Sequence, residues 1–202
     1  MKNSRLEAFS DGVIAILLTI MVLEMKVPHG ADLAALRLVV PVFLSYILSF
    51  VYIGIYWNNH HHIFQLVHSV KGSVLWANTH LLFWLSLIPF VTGWMGENGF
   101  APLPVALYGV VLFACASAYF ILSTLLVNAQ GANSPLRRAL GGEWKEKISM
   151  LFYLVAIPLA FVNRWVACAI YVGIALSWLV PDTRIERTLD ESGATENAAS
   201  TE

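Results

Sequence analysis

Residues 104–128 read PVALYGVVLFACASAYFILSTLLVN, 25 positions without a charged side chain. A helix needs about 20 mostly apolar residues to cross the hydrocarbon core of a bilayer, roughly 30 Å thick. A membrane-crossing strand needs only about 9–11 residues and alternates in polarity, so this unbroken apolar run excludes a β-barrel. Working outward, the same character recurs at 8–26, 36–58, 73–94, 147–163 and 165–181. Turn signals fall between the runs: Val27-Pro28-His29-Gly30, Gly96-Glu97-Asn98-Gly99 and Gly131-Ala132-Asn133-Ser134-Pro135. Only Asn163-Arg164 separates the last two, which predicts a tight helical hairpin. Pro104 stands near the start of the fourth run, where a missing N–H costs nothing. Pro89 and Pro158 are predicted to kink their helices. The chain is therefore expected to be an all-α integral membrane protein with six transmembrane helices over residues 1–181. A polar tail follows over 182–202, expected to be disordered.

Composition agrees. Apolar residues make up 58% and charged residues 12%, against about 45–50% and 25% in soluble domains. That excludes a disordered chain or a disulfide scaffold. A net charge of −1 leaves no basic surplus for phosphates, so no nucleic-acid partner is expected. Cys115 and Cys168 lie in apolar runs and read as small packing residues. The first run has acidic residues at both ends and no small-residue cleavage site, so it reads as a mature helix. Of the 12 basic residues, Lys2, Arg5, Lys71, Arg137, Arg138, Lys145, Lys147, Arg184 and Arg187 fall on one side of the membrane. Lys26, Arg37 and Arg164 fall on the other. The excess marks the cytoplasmic side, so both termini are expected there.

The first helix is unusual. Its charge-free stretch, between Asp11 and Glu24, holds only 12 residues. At about 1.5 Å each these span roughly 18 Å, too little for lipid on every side. The helix should be shielded by protein or line a water-filled path, as intramembrane carboxylates usually do. On a helical wheel with Ile16 at 0°, Leu23 falls at about −20°, Ile20 at +40° and Thr19 at −60°. Ser10 lies near 120° and Asp11 near −140°, away from that stripe. The polar pair can then bond within its own subunit, and the aliphatic stripe is left to face something else. The plain alternatives are lipid or core contact for the stripe and a helix N-cap for Ser10-Asp11.

The second helix ends in Trp57-Asn58-Asn59-His60-His61-His62, and the third carries Asn78, Thr79 and His80 in its first turns. Ser10, Asp11, His60 and Asn78 should therefore lie at similar depth and satisfy one another. His61 and His62 are expected at the headgroup level. His80 is expected to bond to another helix. A metal site on the three histidines is disfavoured, because neighbours on a helix point about 100° apart. A haem site and a Ser10–His60–Asp11 triad are weaker still, the latter because no oxyanion motif accompanies it.

Arg5-Leu6-Glu7-Ala8-Phe9-Ser10-Asp11-Gly12 resembles the RxxxFSD signature of the transmembrane protein 175 potassium-channel family. Trp57-x-x-His60 followed by Ile63-Phe64-Gln65, and Asn78 with Pro89, resemble its second and third motifs. Together these cover about residues 1–90. The resemblance implies a homotetrameric potassium channel, weakly permeable to sodium, in the plasma membrane, with the first helix lining the pore. It implies a constriction at Ile16, Ile20 and Leu23 and a selectivity role for Thr19. It also implies a structural network of Arg5, Phe9, Ser10, Asp11, His60 and Asn78. The expected partners are three further copies of the chain, membrane lipids and the permeating potassium ion. No cofactor or metal is expected. The independent reading is compatible: one helix cannot enclose a pore, but copies around a symmetry axis can. Rings of aliphatic side chains can gate by dewetting, and no TVGYG-like filter loop is present. Two other functions stay open: a proton-coupled carrier with an Asp11–His60 relay, and a membrane-bound haem or metal protein.

Overall fold

The structure, a computed structural model, describes residues 3–67, 70–131, 134, 136–137 and 144–179. Among the described residues, seven α-helices make six spans: α1 (Asn3–Leu23), α2 (Leu33–Gln65), α3 (Gly72–Ser86), α4 (Ile88–Glu97), α5 (Pro102–Gln130), α6 (Trp144–Val162) and α7 (Arg164–Leu179). The expected tail, the basic residues Lys2, Arg138, Arg184 and Arg187, and most of the turn at 131–135 lie outside the described residues.

Several ends differ from the sequence reading, each for a local reason. The first helix starts at Asn3 and runs 21 residues, long enough to cross a membrane despite its short charge-free stretch. Ser10 and Asp11 consequently sit well inside it and cap nothing. The second starts at Leu33 because Asp32 accepts a bond from the Ala35 N–H at 2.9 Å. It continues to Gln65, past the polar run that resembles a loop, because Ile63 and Phe64 are buried by the bundle. The third span breaks at Leu87, and α4 restarts with Pro89 in its first turn, where no amide is missed. Pro41 and Pro158 lie inside uninterrupted helices. Asn163 joins α6 to α7 and caps the latter, its Oδ1 accepting from the Trp165 N–H at 3.1 Å.

Among the described residues, four spans are long and apolar enough to cross a bilayer: α1, α2, α3 with α4, and α5. The helix α7 is apolar but shorter, and α6 opens with the charged run Lys145-Glu146-Lys147. The helix α5 is central, packing on α3, α4, α6 and α7. The helix α1 leans on α2, α3 and α4 at the edge of the bundle. Where these helices meet, buried hydroxyls are paired, the glue that helix association in lipid depends on. Ser49 Oγ bonds to Thr92 Oγ1 at 2.6 Å and to Tyr108 Oη at 2.9 Å. Tyr52 donates to the Tyr171 carbonyl at 2.6 Å, and Tyr153 donates to Tyr52 at 3.1 Å. Tyr171 donates to the Val105 carbonyl at 3.2 Å, lying where a Cβ on Gly109 would collide with its hydroxyl.

Candidate functional site: an anchored helix with a bare apolar stripe

The buried side chains of α1 are Leu6, Ser10, Ile14, Leu17 and Met21. Their spacing of three and four keeps them on one face, turned into the bundle. Within that face Ser10, His60 and Asn78 are almost completely buried and form one directed chain of bonds. Asn78 Oδ1 can only accept, so His60 Nε2–H donates to it, at 2.8 Å. Asn78 Nδ2 donates to Ser10 Oγ at 2.9 Å, and Ser10 Oγ–H donates to the Leu6 carbonyl at 2.9 Å. Helix α3 thus ties α2 to the backbone of α1 through a single amide side chain.

Asp11 is placed outside this cluster. It lies 100° further round the helix and accepts from Trp57 Nε1 at 3.0 Å. Trp57 and His60 are three apart on α2, so they reach two adjacent residues of α1. The spacing Trp57-x-x-His60 was the available signal for that second contact, and the sequence reading left it unused. Two further ties were missed. His61 Nδ1 is 2.9 Å from Glu7 Oε1, and its ring also contacts Gln65 and stacks on Trp57. Asn3 Nδ2 donates to the Phe64 carbonyl. His61 is therefore a link between α1 and α2. His80 is exposed and accepts from Trp84 Nε1 in its own helix at 2.9 Å, so the expected bond to another helix is corrected. Arg5 and Phe9 point outward and are exposed, apart from the Ser10 cluster.

The opposite face of α1 is bare. Ile16, Ile20 and Leu23 are 58%, 38% and 80% exposed. Thr19 lies beside them and is exposed, its Oγ1 donating to the Ile16 carbonyl at 2.8 Å. That bond uses the hydroxyl proton, so the outward atom is an oxygen with free lone pairs. Arg5, Phe9 and Gly12 continue the stripe toward the N terminus and are likewise exposed. Asp11 and His60 have different partners, Trp57 and Asn78, so the relay required by a carrier is not assembled. Among the described residues, no group of three or more His, Cys, Asp or Glu could hold a metal ion.

Known proteins resemble the chain over most of its length. The sequence profile described as "Endosomal/lysosomal potassium channel TMEM175" matches residues 5–89. A potassium channel of Chryseobacterium sp. is 53% identical over 95% of this chain and 100% of its own length. A potassium channel of Streptomyces collinus is 30% identical over 87% of this chain and 90% of its own. The crystal structure of a lysosomal potassium-selective channel TMEM175 homolog from Chamaesiphon minutus superposes with a TM-score of 0.78 at 28% identity. It covers 89% of this chain and 97% of that one. The family is one of ion channels, not enzymes. Its profile spans both α1 and the partners that anchor it, and its bacterial relatives match the rest of the bundle. The chain therefore belongs to the TMEM175 potassium-channel family.

Proposed function

We propose that the chain is a potassium-selective cation channel, weakly permeable to sodium, in which α1 of four copies lines the conduction path. The observation that carries this reading is the division of α1. One face is pinned by Ser10, Asn78 and His60, and the other leaves Ile16, Thr19, Ile20 and Leu23 uncovered. A symmetric assembly gives those side chains a place to go, since rotation about one axis brings identical stripes face to face. From Ile16 to Leu23 the stripe rises about 10 Å. Four aliphatic side chains per level make a dry constriction that strips water from an ion and gates by dewetting. The Thr19 oxygens form a ring of acceptors beside it, suited to a partly dehydrated monovalent cation. Asn78, Ser10 and His60 set the rotation of α1 about its own axis, and Trp57 adds a second hold on Asp11, 100° further round. Arg5 and Phe9 stand on the stripe side at the entrance. The relatives named as potassium channels support the choice of ion.

The excess of basic residues at the ends of α1, α2, α5 and α6 supports a cytoplasmic position for that side and both termini, with the protein in the plasma membrane of a prokaryotic cell. The chain uses no cofactor; potassium is the permeating ion. Purified protein in liposomes tests this directly. Potassium gradients should drive faster flux than sodium gradients of equal size. Equal flux of the two ions, or none from folded and oligomeric protein, would overturn it.

A further inference from the structure

The outer face of α3 carries a donor with nothing to donate to. Within the chain, His80 Nε2 accepts from Trp84 Nε1 at 2.9 Å. Nε2 is then the bare nitrogen of the neutral ring, and Nδ1 holds the proton. That Nδ1–H has no acceptor among the described residues. The span Gly72–Glu97 counts 26 residues, and His80 lies about 7 Å from its middle. The apolar half-thickness of a bilayer is about 15 Å, so His80 falls inside it. An imidazole turned to lipid there is costly, and such residues face protein almost always. Trp76 and Phe83, 77% and 54% exposed, extend the same bare face.

The helix α2 has a face that matches. Phe43, Ile47, Phe50, Gly54 and Asn58 recur at steps of three and four, hence on one side. The first three are exposed, and a Cβ on Gly54 would touch nothing. Asn58 is half-buried, and its amide makes no side-chain hydrogen bond among the described residues. The two helices flank α1: α2 holds it at Asp11 and α3 at Ser10, either side of the point opposite the stripe. The unpaired groups also share one height. The His60–Asn78 bond sets those residues level. Because α2 and α3 run in opposite directions, Asn58, two before His60, is level with His80, two after Asn78. Phe83 comes within about 1.5 Å of the height of Gly54 by the same count. Rotation about the membrane normal preserves height, so groups that meet between copies in a ring must be level. We propose that the α3 face of one copy packs on the α2 face of the next. His80 Nδ1–H donates to the Asn58 Oδ1 of that copy, and Phe83 sits over its Gly54. Small residues let membrane helices approach closely, and polar side chains join them. The contact is head to tail, the kind that closes into rings. A second copy brings the missing acceptor at the right height, which lipid tails do not. That copies surround one axis rests on the channel reading; which faces meet goes beyond it.

The test is crosslinking of the full-length protein in membranes with dibromobimane, a short reagent that joins two thiols, after Cys168 is replaced by serine. His80→Cys with Asn58→Cys should give a ladder of linked copies ending at four on a denaturing gel, and each single variant none. A link within one chain does not compete, because each position lies about 160° round its helix from the His60–Asn78 contact. A second pair, Phe83→Cys with Gly54→Cys, leaves His80 and Asn58 in place and should link likewise. Gly54→Trp should keep the wild-type circular dichroism, since a Cβ there meets nothing in its own chain, but lose the oligomer in light scattering. Should Gly54→Trp fail to fold, the two cysteine pairs decide the matter. Oligomeric protein with no ladder from either pair, ladders as strong from the single variants, or intact oligomers of Gly54→Trp would overturn this interface and leave the channel reading standing. Monomeric wild-type protein would overturn both.

Discussion

Replacing Asn78 by leucine, a side chain of similar size, removes the link that joins α1, α2 and α3. Two hydrogen bonds disappear, each contributing about 0.6–1.5 kcal/mol, the lower figure applying to helix pairs in lipid. The larger cost falls on His60. Its ring is buried, its Nδ1 has no hydrogen-bond partner among the described residues, and Nε2–H would lose Asn78 Oδ1. An unsatisfied buried donor costs about 1–3 kcal/mol. Ser10 suffers less, because its own proton still reaches the Leu6 carbonyl. The expected loss is about 3 kcal/mol, or roughly 6–12 °C in melting temperature for a chain of this size. Ser10→Ala should lose about half as much, because it leaves the His60–Asn78 bond intact. Reversible unfolding in mixed micelles, followed by circular dichroism, measures both. If Asn78→Leu stays within about 0.5 kcal/mol of wild type, the relay contributes nothing and the anchoring argument fails.

Other perturbations probe other parts of the account. Ile16→Asn or Ile20→Asn should raise basal potassium flux severalfold, because a polar ring wets more readily; liposome flux measures this. Thr19→Ala should lower the potassium-over-sodium permeability ratio, and Thr19→Ser should retain most of it; an unchanged ratio in the alanine variant removes Thr19 from selectivity. Gly109→Ala should cost about 2–4 kcal/mol, because the new methyl displaces the Tyr171 hydroxyl from the Val105 carbonyl. Lys26 and Glu97 pair at 2.7 Å, and the Glu97 carboxylate raises the Lys26 ammonium above its usual range. The pair is open to water, so Lys26→Met should leave the melting temperature unchanged.

How much of this was legible in the sequence depends on the kind of information involved. The all-α membrane class follows from unbroken apolar runs, which need no knowledge of neighbours. The two faces of α1 follow equally well, because a wheel needs only the residue numbers of Ser10, Ile16, Ile20 and Leu23. Partner choice was less readable. Asp11 and Ser10 are adjacent and both polar, and nothing local says which meets Trp57 and which meets Asn78. His80 has Trp84 one turn away, and a bond within the helix satisfies it without a second helix. The run Asn58-Asn59-His60-His61-His62 looks like a helix end when read alone. It stays helical because His60, Ile63 and Phe64 are buried by other parts of the chain.

The central claim is that the bare face of α1, and no other, meets the permeating ion. Cysteines introduced singly along α1 and exposed to silver, a small monovalent thiol reagent, test it most directly. Native Cys168 is half-buried and should first become serine; Cys115 is fully buried and can remain. Potassium flux should be blocked at positions 16, 19, 20 and 23 and persist at the buried positions 14, 17 and 21. Block at Ile14, Leu17 or Met21 with none at Ile16, Ile20 or Leu23 would contradict the account and place the pore elsewhere in the bundle.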